Sequence, residues 1–488
     1  MQRYLGFIFT LLLLTGCEDF LSKEPDNRAN LDSKEKIAEL LVTAYPEANY
    51  AAFCEAMSDN AEDNPQGQIQ PINADAYFWR DHSTTDQDSP EYYWNACYAA
   101  IAASNHALRA IQTAPDSMAM QALKGEALVA RAYSHFMLVN LFAQTYDSAT
   151  ASTNPGIPYV TEPETVSFKT YKRASVKEVY NRIERDLLDG LPLINDQAYQ
   201  TNGGSSSGVP KYHFTKAASH AFASRFYLFK KEYTKVIEHA NQVFIQQDIK
   251  TLLRPWNSTY RGYSAQELSL NYTKSSEKAN LLLCETASNW ARSFLGNRYS
   301  TGLQRYREIF NTQSMVGMYS YSVLRSSSQA YIINKFREHF VRVGTNANTG
   351  FIYTMLPLIS AEEVLFNRAE AHAMLFHFNE SLADINIWVS TRVTNYDPAV
   401  HNVTFNKLYN YYQKNVNQQA IVAGILDFRR VEFLHEGLRW FDVLRHKLPV
   451  RHTTADGQIL ELSPTDPRRV IQLPVQAIAS GGLEPNPR

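Results

Sequence analysis

Two aromatic-rich segments carry side chains of the types that bind carbohydrates. Segment 75–81 contains Tyr77 and Trp79, and segment 288–292 contains Asn289, Trp290 and Arg292, with Tyr299 close behind. A pyranose ring presents C–H groups on its faces and hydroxyls around its rim, so aromatic rings bind the faces while amide and guanidinium groups bind the rim. We therefore predict that Tyr77, Trp79, Asn289, Trp290, Arg292 and Tyr299 contact a ligand. The alternative is that each loop tryptophan is partly buried beneath its own loop.

Other acidic side chains have spacings that resemble catalytic or metal sites, but none completes one. Glu362 and Glu363 are adjacent on an expected helix and point in different directions, whereas glycoside hydrolysis needs two carboxyl groups that converge across one cleft. Glu432 and His435 form a Glu-x-x-His pair, but a helical-bundle metal site needs a second such pair, which the sequence lacks. We therefore expect no catalytic residue, no metal site and no cofactor.

The N-terminal segment carries the pattern of an export signal. Arg3 precedes an apolar run from Leu5 to Leu14, which is too short to span a bilayer comfortably, and Cys17 follows soon after it. This pattern resembles the lipobox of bacterial lipoproteins, in which the cysteine becomes the first residue and carries the acyl chains. It predicts a signal peptide over 1–16 and a lipid anchor on Cys17. The alternative is an ordinary signal peptide or a membrane helix with a chance cysteine.

The composition argues against nucleic-acid binding and against cysteine chemistry. The chain has 488 residues, with 47 lysines and arginines against 49 aspartates and glutamates, whereas a nucleic-acid partner requires a basic face. Cys54, Cys97 and Cys284 lie too far apart for a Cys-x-x-Cys motif. We expect them to serve mainly as small buried hydrophobic residues.

Helical periodicity dominates the elements that must position these residues. Apolar stripes at 217–228 and 236–243 indicate one helix–turn–helix unit, and stripes at 365–376 and 382–389 indicate a second. Small residues on one helix and larger ones on its partner resemble the tetratricopeptide unit, although the units are not in tandem. The sequence therefore predicts an all-α scaffold with scattered helix pairs.

Long irregular insertions interrupt this helical pattern. The segments near 59–90 and 250–353 have no sustained helical period, and the second contains strand-like runs at 281–283 and 351–353. Insertions of this kind on a rigid scaffold are common sites of ligand binding. We predict a single domain over 17–488, with the ligand contacts in these two insertions.

The C-terminal segment 426–445 carries the most specific motif of the chain. It contains an Arg-Arg-x-Glu step at 429–432, a Glu-Gly-x-Arg step at 436–439 and an aromatic pair followed by aspartate at 440–442. This motif resembles that of the SusD/RagB family of Bacteroidetes outer-membrane lipoproteins. Weaker matches to the same family lie at 131–139, 180–187, 216–221 and 369–371, and the Asn-Pro ending also resembles it.

The resemblance implies a SusD-like helical scaffold and a function. It implies a lipoprotein that faces the cell exterior, binds a glycan and works with a SusC-like TonB-dependent outer-membrane transporter. Most family members with assigned ligands bind glycans, while RagB-like members serve peptides. We therefore expect a non-enzymatic protein whose partners are an oligosaccharide or polysaccharide, the transporter and, through its lipid, the membrane. A peptide binder of the same fold and a glycan-acting enzyme remain the alternatives.

Overall fold

Helices form most of the chain. The computed structural model describes residues 31–164, 170–199, 211–245, 247–344, 348–414 and 416–488, so the predicted signal peptide and Cys17 lie outside the described residues. The helices are α1 (Lys34–Leu41), α2 (Ala51–Met57), α3 (Pro71–Tyr77), α4 (Pro90–Thr113), α5 (Gln121–Phe142), α6 (Val176–Gly190), α7 (Lys216–Lys230), α8 (Tyr233–Val243), α9 (Ala265–Tyr272), α10 (Trp290–Ser293), α11 (Leu303–Ile309), α12 (Gln313–Val316), α13 (Ala361–Met374), α14 (Phe378–Arg392), α15 (Pro398–His401), α16 (Phe405–Tyr412), α17 (Asn417–Glu432), α18 (Leu438–Arg445) and α19 (Val475–Ala479). Within the described ranges, no helix is both long and apolar enough to cross a bilayer.

Two helix pairs confirm the predicted helix–turn–helix units. Helix α7 ends at Lys230, and the left-handed φ of 63° at the next residue, Lys231, reverses the chain into α8. Helices α13 and α14 are joined by the Ser381 hydroxyl, which donates to the Ala369 carbonyl at 2.7 Å, and by an ion pair of 2.6 Å between Arg368 and Asp384. Local periodicity predicts these pairs well because each helix packs mainly on its neighbour in the chain.

Short strands add small sheets to the helical scaffold. They are β1 (Glu62–Asp63), β2 (Asn280–Ala287), β3 (Tyr299–Ser300), β4 (Val323–Arg325), β5 (Tyr331–Ile333), β6 (Glu338–Arg342), β7 (Gly350–Ser360), β8 (Val450–Thr453) and β9 (Ile459–Leu462). The largest sheet is antiparallel, with the order β2-β7-β6, and the predicted strand-like runs lie within β2 and β7. The mainly helical scaffold is therefore confirmed, with strands as a minor component.

The predicted insertions contain more regular structure than their sequence indicates. Helix α3 lies within 59–90, and helices α9 and α11 lie within 250–353. These helices have seven, eight and seven residues, which is about two turns each. Two turns are too short to establish a clear helical period in the sequence.

Buried ion pairs connect the C-terminal motif to distant parts of the fold. Arg392 on α14 donates to Glu432 on α17 at 2.8 Å, and both side chains are fully buried. Arg439 and Arg430 both reach Asp59, the first residue of the first insertion. Burial alone would raise the pKa of Asp59, but the two guanidinium groups lower it well below its usual range. Since removal of one partner would leave a buried charge unpaired, these pairs hold the motif in one arrangement.

Gly437 allows close packing between α18 and α2. It has a left-handed φ of +74°, and a Cβ at this position would lie 2.8 Å from the Cα of Ala51. Both facts favour glycine.

The three cysteines within the described residues are buried and form no disulfide. Cys54, Cys97 and Cys284 are all free thiols. Burial raises the pKa of each thiol above its usual range, which disfavours the reactive thiolate. They serve as small buried residues, as the sequence predicts.

Candidate ligand-binding groove

One face of the three-stranded sheet forms the floor of an open groove. Side chains alternate along a strand, so every second residue faces the same way. The floor consists of Leu283 and Glu285 from β2, Tyr353 and Met355 from β7, and Val341 from β6. Glu285 and Met355 stand opposite each other in the register of β2 and β7. The cavity above this floor has a volume of about 590 Å³, which is within the usual range of small-molecule sites.

The segment that follows α1 forms one wall of the groove. The backbone N–H of Ala287 donates to the carbonyl oxygen of Glu47 at 3.0 Å, and Ala48 forms a parallel bridge with Ala287. The Tyr45 hydroxyl donates to Glu126 at 2.6 Å, which ties the same segment to α5. Main-chain and side-chain hydrogen bonds therefore fix the position of Glu47, while its own side chain is exposed.

Tyr212 forms a second wall. The backbone N–H of Leu283 donates to the carbonyl oxygen of Lys211 at 2.7 Å, which places Tyr212 beside β2. Tyr212 is 40% exposed and Tyr353 is half-buried. The rings of Tyr212 and, in part, Tyr353 are thus accessible from solvent.

A second cavity continues the groove along the first turns of α4. It has a volume of about 460 Å³, it is lined by Tyr92 and Asn95 among others, and it shares Tyr45 and Glu47 with the first cavity. Ser89 caps this helix by accepting from the Tyr92 N–H at 3.1 Å, which fixes where Tyr92 lies. We call the two cavities together the ligand groove. Glu47 stands between them.

The ligand groove carries negative charge. The Glu47 carboxylate has no hydrogen-bond or ion-pair partner within the described part of the chain, and its pKa is raised by burial and by the nearby charge of Glu285. The Glu285 carboxylate lies 2.6 Å from Nδ1 of His339. The pKa of Tyr92 is raised by burial and then by neighbours that include Tyr353 and Glu47. Among the described residues that line the two cavities, none is lysine or arginine.

Tyr77, Trp79 and Tyr299 come together outside the ligand groove, in a buried aromatic stack. The ring centroids are 4.5 Å apart for Trp79 and His452, 4.1 Å for His452 and Tyr77, and 4.4 Å for Tyr77 and Tyr299. The Trp79 indole N–H donates to the Met57 carbonyl at 3.0 Å, and Trp79 is only 4% exposed. Protein therefore covers these rings, and their contact with a ligand stays a prediction.

The residues of the second predicted cluster point to different partners. Trp290 is buried, and its indole N–H donates to a backbone carbonyl at 2.9 Å. Asn289 is partly exposed, and its backbone N–H donates to the Asp88 carboxylate at 2.8 Å. Arg292 is exposed and pairs with Glu338 through two hydrogen bonds of 2.7 Å each. The three side chains do not form one platform, and their role as ligand contacts also stays a prediction.

The carboxylates considered as catalytic candidates have structural partners. Glu362 pairs with Arg254 and Arg392, and Glu363 pairs with Arg225, all in the buried core. Within the described ranges, no group of three or more histidine, cysteine, aspartate or glutamate side chains is arranged to hold a metal ion.

The residues of the ligand groove could not be recognised from the sequence. Glu47, Tyr92, Tyr212 and Tyr353 come from four separate segments, so no local motif joins them. One signal was present in the sequence. In the run after Leu281, Glu285 is polar, whereas the residues two positions before and after it are apolar. Residues at this spacing share one face of a strand, so a polar residue among them indicates that the face is open in part.

Two protein-family models match this chain. A model of the SusD family matches residues 199–462, more than half of the chain, and a SusD-like model described as starch-binding and associating with the outer membrane matches residues 19–228. The chain belongs to the SusD family. The resemblance of the C-terminal motif is thereby confirmed. SusD-family members are binding proteins, and the description of the second model associates them with the outer membrane.

Solved SusD structures share the fold of this chain. A SusD superfamily protein from Bacteroides thetaiotaomicron VPI-5482 is 19% identical, with 93% of this chain and 100% of that chain covered and a TM-score of 0.66. Another from Bacteroides fragilis is 17% identical, with coverage of 92% and 98% and a TM-score of 0.68. A laminarin-binding SusD-like protein is 16% identical, with coverage of 93% and 99% and a TM-score of 0.60. No curated protein matched the sequence.

Proposed function

We propose that this SusD-family protein is a cell-surface glycan-binding lipoprotein that captures oligosaccharides for import through a SusC-like TonB-dependent transporter. The family description as starch-binding supports a carbohydrate ligand. The laminarin-binding protein of the same fold supports it further. The observation in this chain that carries the proposal is the open, tyrosine-lined ligand groove beside Glu47.

The side chains of the ligand groove match the two kinds of surface on a sugar. The exposed rings of Tyr212 and Tyr353 can stack on the C–H faces, while Glu47 and Asn95 can bind rim hydroxyls. We include Asn289 in this proposal as a further ligand contact; its side-chain amide donates to Gln87 in the loop that precedes α4. A groove that is open on one side favours release of the ligand, which delivery to a transporter requires.

The proposed lipid anchor places the binder beside its transporter. Cys17 would carry the acyl chains, and the family's outer-membrane association supports this location. A tether raises the effective concentration of the ligand groove near the transporter without any new contact. The proposal includes a single domain over 17–488 and no catalytic step.

Affinity electrophoresis tests the proposal most simply. The purified mature chain is run in native gels that contain starch, laminarin or another neutral polysaccharide. We expect at least one polysaccharide to retard it, and we expect oligosaccharides of that polysaccharide to give saturable heats in calorimetry without any product. Cys17→Ser should move the full chain out of the membrane fraction, because the acyl chains attach at this residue.

The same experiments separate the alternatives. Saturable heats with peptides and none with glycans would favour a peptide-binding protein. Release of shorter sugars from the polysaccharide by the purified chain would indicate an enzyme. Either result would contradict the proposed glycan-capture function.

A further inference from the structure

The ligand groove combines an open cavity with unpaired negative charge. Glu47 stands where its two cavities meet, and no cation within the described part of the chain neutralises it. Glu285 lies on the floor of the first cavity, close enough for its charge to act on Glu47. Among the described residues, the basic neighbour of Glu285 is His339, whose Nδ1 lies 2.6 Å from the carboxylate. The groove keeps two like charges near each other, so a cationic ligand would relieve their repulsion.

Tyrosine rings surround these carboxylates on both sides. Tyr212 and Tyr353 belong to the first cavity, Tyr92 belongs to the second, and Tyr45 belongs to both. The face of an aromatic ring attracts cations as well as the C–H groups of a sugar. Tyrosine and carboxylate together therefore suit a ligand that has both a sugar ring and a positive charge.

We infer that the ligand groove binds glycans that carry protonated amino groups, such as oligomers of glucosamine that lack N-acetyl groups. The ammonium group pairs with Glu47 while the sugar ring stacks on an exposed tyrosine. Glycans with carboxylate or sulfate groups meet like charge in the groove and are disfavoured. This inference rests on the proposed function and narrows its ligand class.

Because Glu47 lines both cavities, its negative charge acts on a ligand along the whole groove. An oligosaccharide that occupies both cavities must pass Glu47, because the residue lines each of them. Its backbone is fixed beside β2 by the hydrogen bond from Ala287, so the side chain projects from the junction of the two cavities. Glu47 is therefore the side chain whose charge should decide the preference.

A matched series of ligands isolates the contribution of the amino group. The β-1,4-linked tetramers of glucosamine, N-acetylglucosamine and glucose share one backbone linkage and differ at C2, where they carry an ammonium, an acetamide or a hydroxyl group. Calorimetric titration at about pH 6 keeps amines protonated. We expect the glucosamine tetramer to bind about tenfold or more tightly than the other two, and we expect added salt to reduce this difference because it screens exposed charges.

Charge-neutral variants of the groove provide the second arm of the test. Glu47→Gln keeps the shape of the side chain and should remove most of the preference for the glucosamine tetramer. Glu238→Gln, an exposed glutamate on α8 outside the ligand groove, is the matched control and should keep the preference.

The outcomes distinguish this inference from the proposed function. Equal affinity for the three tetramers, or a preference that survives Glu47→Gln, would overturn the inference and leave glycan binding intact. Binding of an oligolysine peptide but of no glycan would overturn both, since the charge would then serve a peptide. Absence of binding to any of these probes and to the neutral polysaccharides would also overturn both.

Discussion

Ala287 holds Glu47 against the edge of the central sheet, through a backbone hydrogen bond of 3.0 Å. The two residues belong to segments far apart in the chain, and the bond joins the wall of the ligand groove to its floor. This bond fixes the backbone of Glu47 before a ligand arrives, so only the side chain has to be ordered on binding, which reduces the entropic cost. The fold therefore presents Glu47 from a rigid edge although the residue itself lies outside any helix or strand.

Substitution of Trp79 separates a structural role from a ligand-binding role. The indole is stacked on His452 and bonded to Met57, so we expect Trp79→Ala to lower the free energy of unfolding by about 3–5 kcal/mol. Urea unfolding of both proteins measures this loss. A variant with unchanged stability and weaker glycan retention would instead support the contact that the sequence predicts.

Two glycines with left-handed backbone allow a matched test of packing. Gly437→Ala adds a Cβ 2.8 Å from the Cα of Ala51, whereas Gly457→Ala, at φ +86°, adds one in open space. In both variants, the left-handed conformation lowers the free energy of unfolding by about 1 kcal/mol. We expect Gly437→Ala to lower the free energy of unfolding clearly more than Gly457→Ala, because the backbone at Ala51 must also move. Equal losses in urea unfolding would show that α2 and α18 tolerate the extra methyl group.

The stability of the fold should depend on the protonation of His135. Its Nδ1 lies 2.9 Å from the Arg131 carbonyl and its Nε2 accepts from the Val160 N–H at 3.1 Å, so the ring must be neutral. Burial lowers the pKa of His135 to about 3. Between that value and the unfolded pKa of about 6.5, only the unfolded chain binds the proton, so stability falls as the pH falls through this window.

Urea unfolding at two pH values measures this effect. Between pH 7.5 and 4.5 the contribution of His135 should be of the order of 2–3 kcal/mol. His135→Gln cannot take up the proton and should lose correspondingly less stability over the same interval. Identical losses in the two proteins would contradict the assignment of a neutral buried imidazole.

The helix pairs could be predicted from the sequence because their signals are local. The stripe that ends near Leu228 and the stripe that starts at Val236 are joined by a short turn, and each helix packs on the other. The C-terminal motif was equally informative, since its arginines and acids appear in a fixed order. Its partner Asp59, however, lies far away in the chain and could not be identified from the motif.

The ligand groove could not be located from composition, because its residues also lie far apart in the chain. Trp79 stands in an aromatic, polar segment that is typical of a sugar platform, but His452 and Met57 cover it from distant segments. Tyr212 and Tyr353 stand in segments with no such signature, yet the sheet brings them to one open face. Exposure depends on tertiary contacts, which residue type alone does not determine.

Calorimetric titration of Tyr353→Ala is the most direct test of the ligand groove as a glycan site. The matched control is Phe340→Ala, which removes an exposed ring from the opposite face of the same sheet, where Phe340 stands across from Ile352. With the glycan that retards the unmodified protein in gels, we predict that Tyr353→Ala weakens binding about tenfold, whereas Phe340→Ala leaves it unchanged. Unchanged affinity in a folded Tyr353→Ala variant would contradict the assignment of the ligand groove.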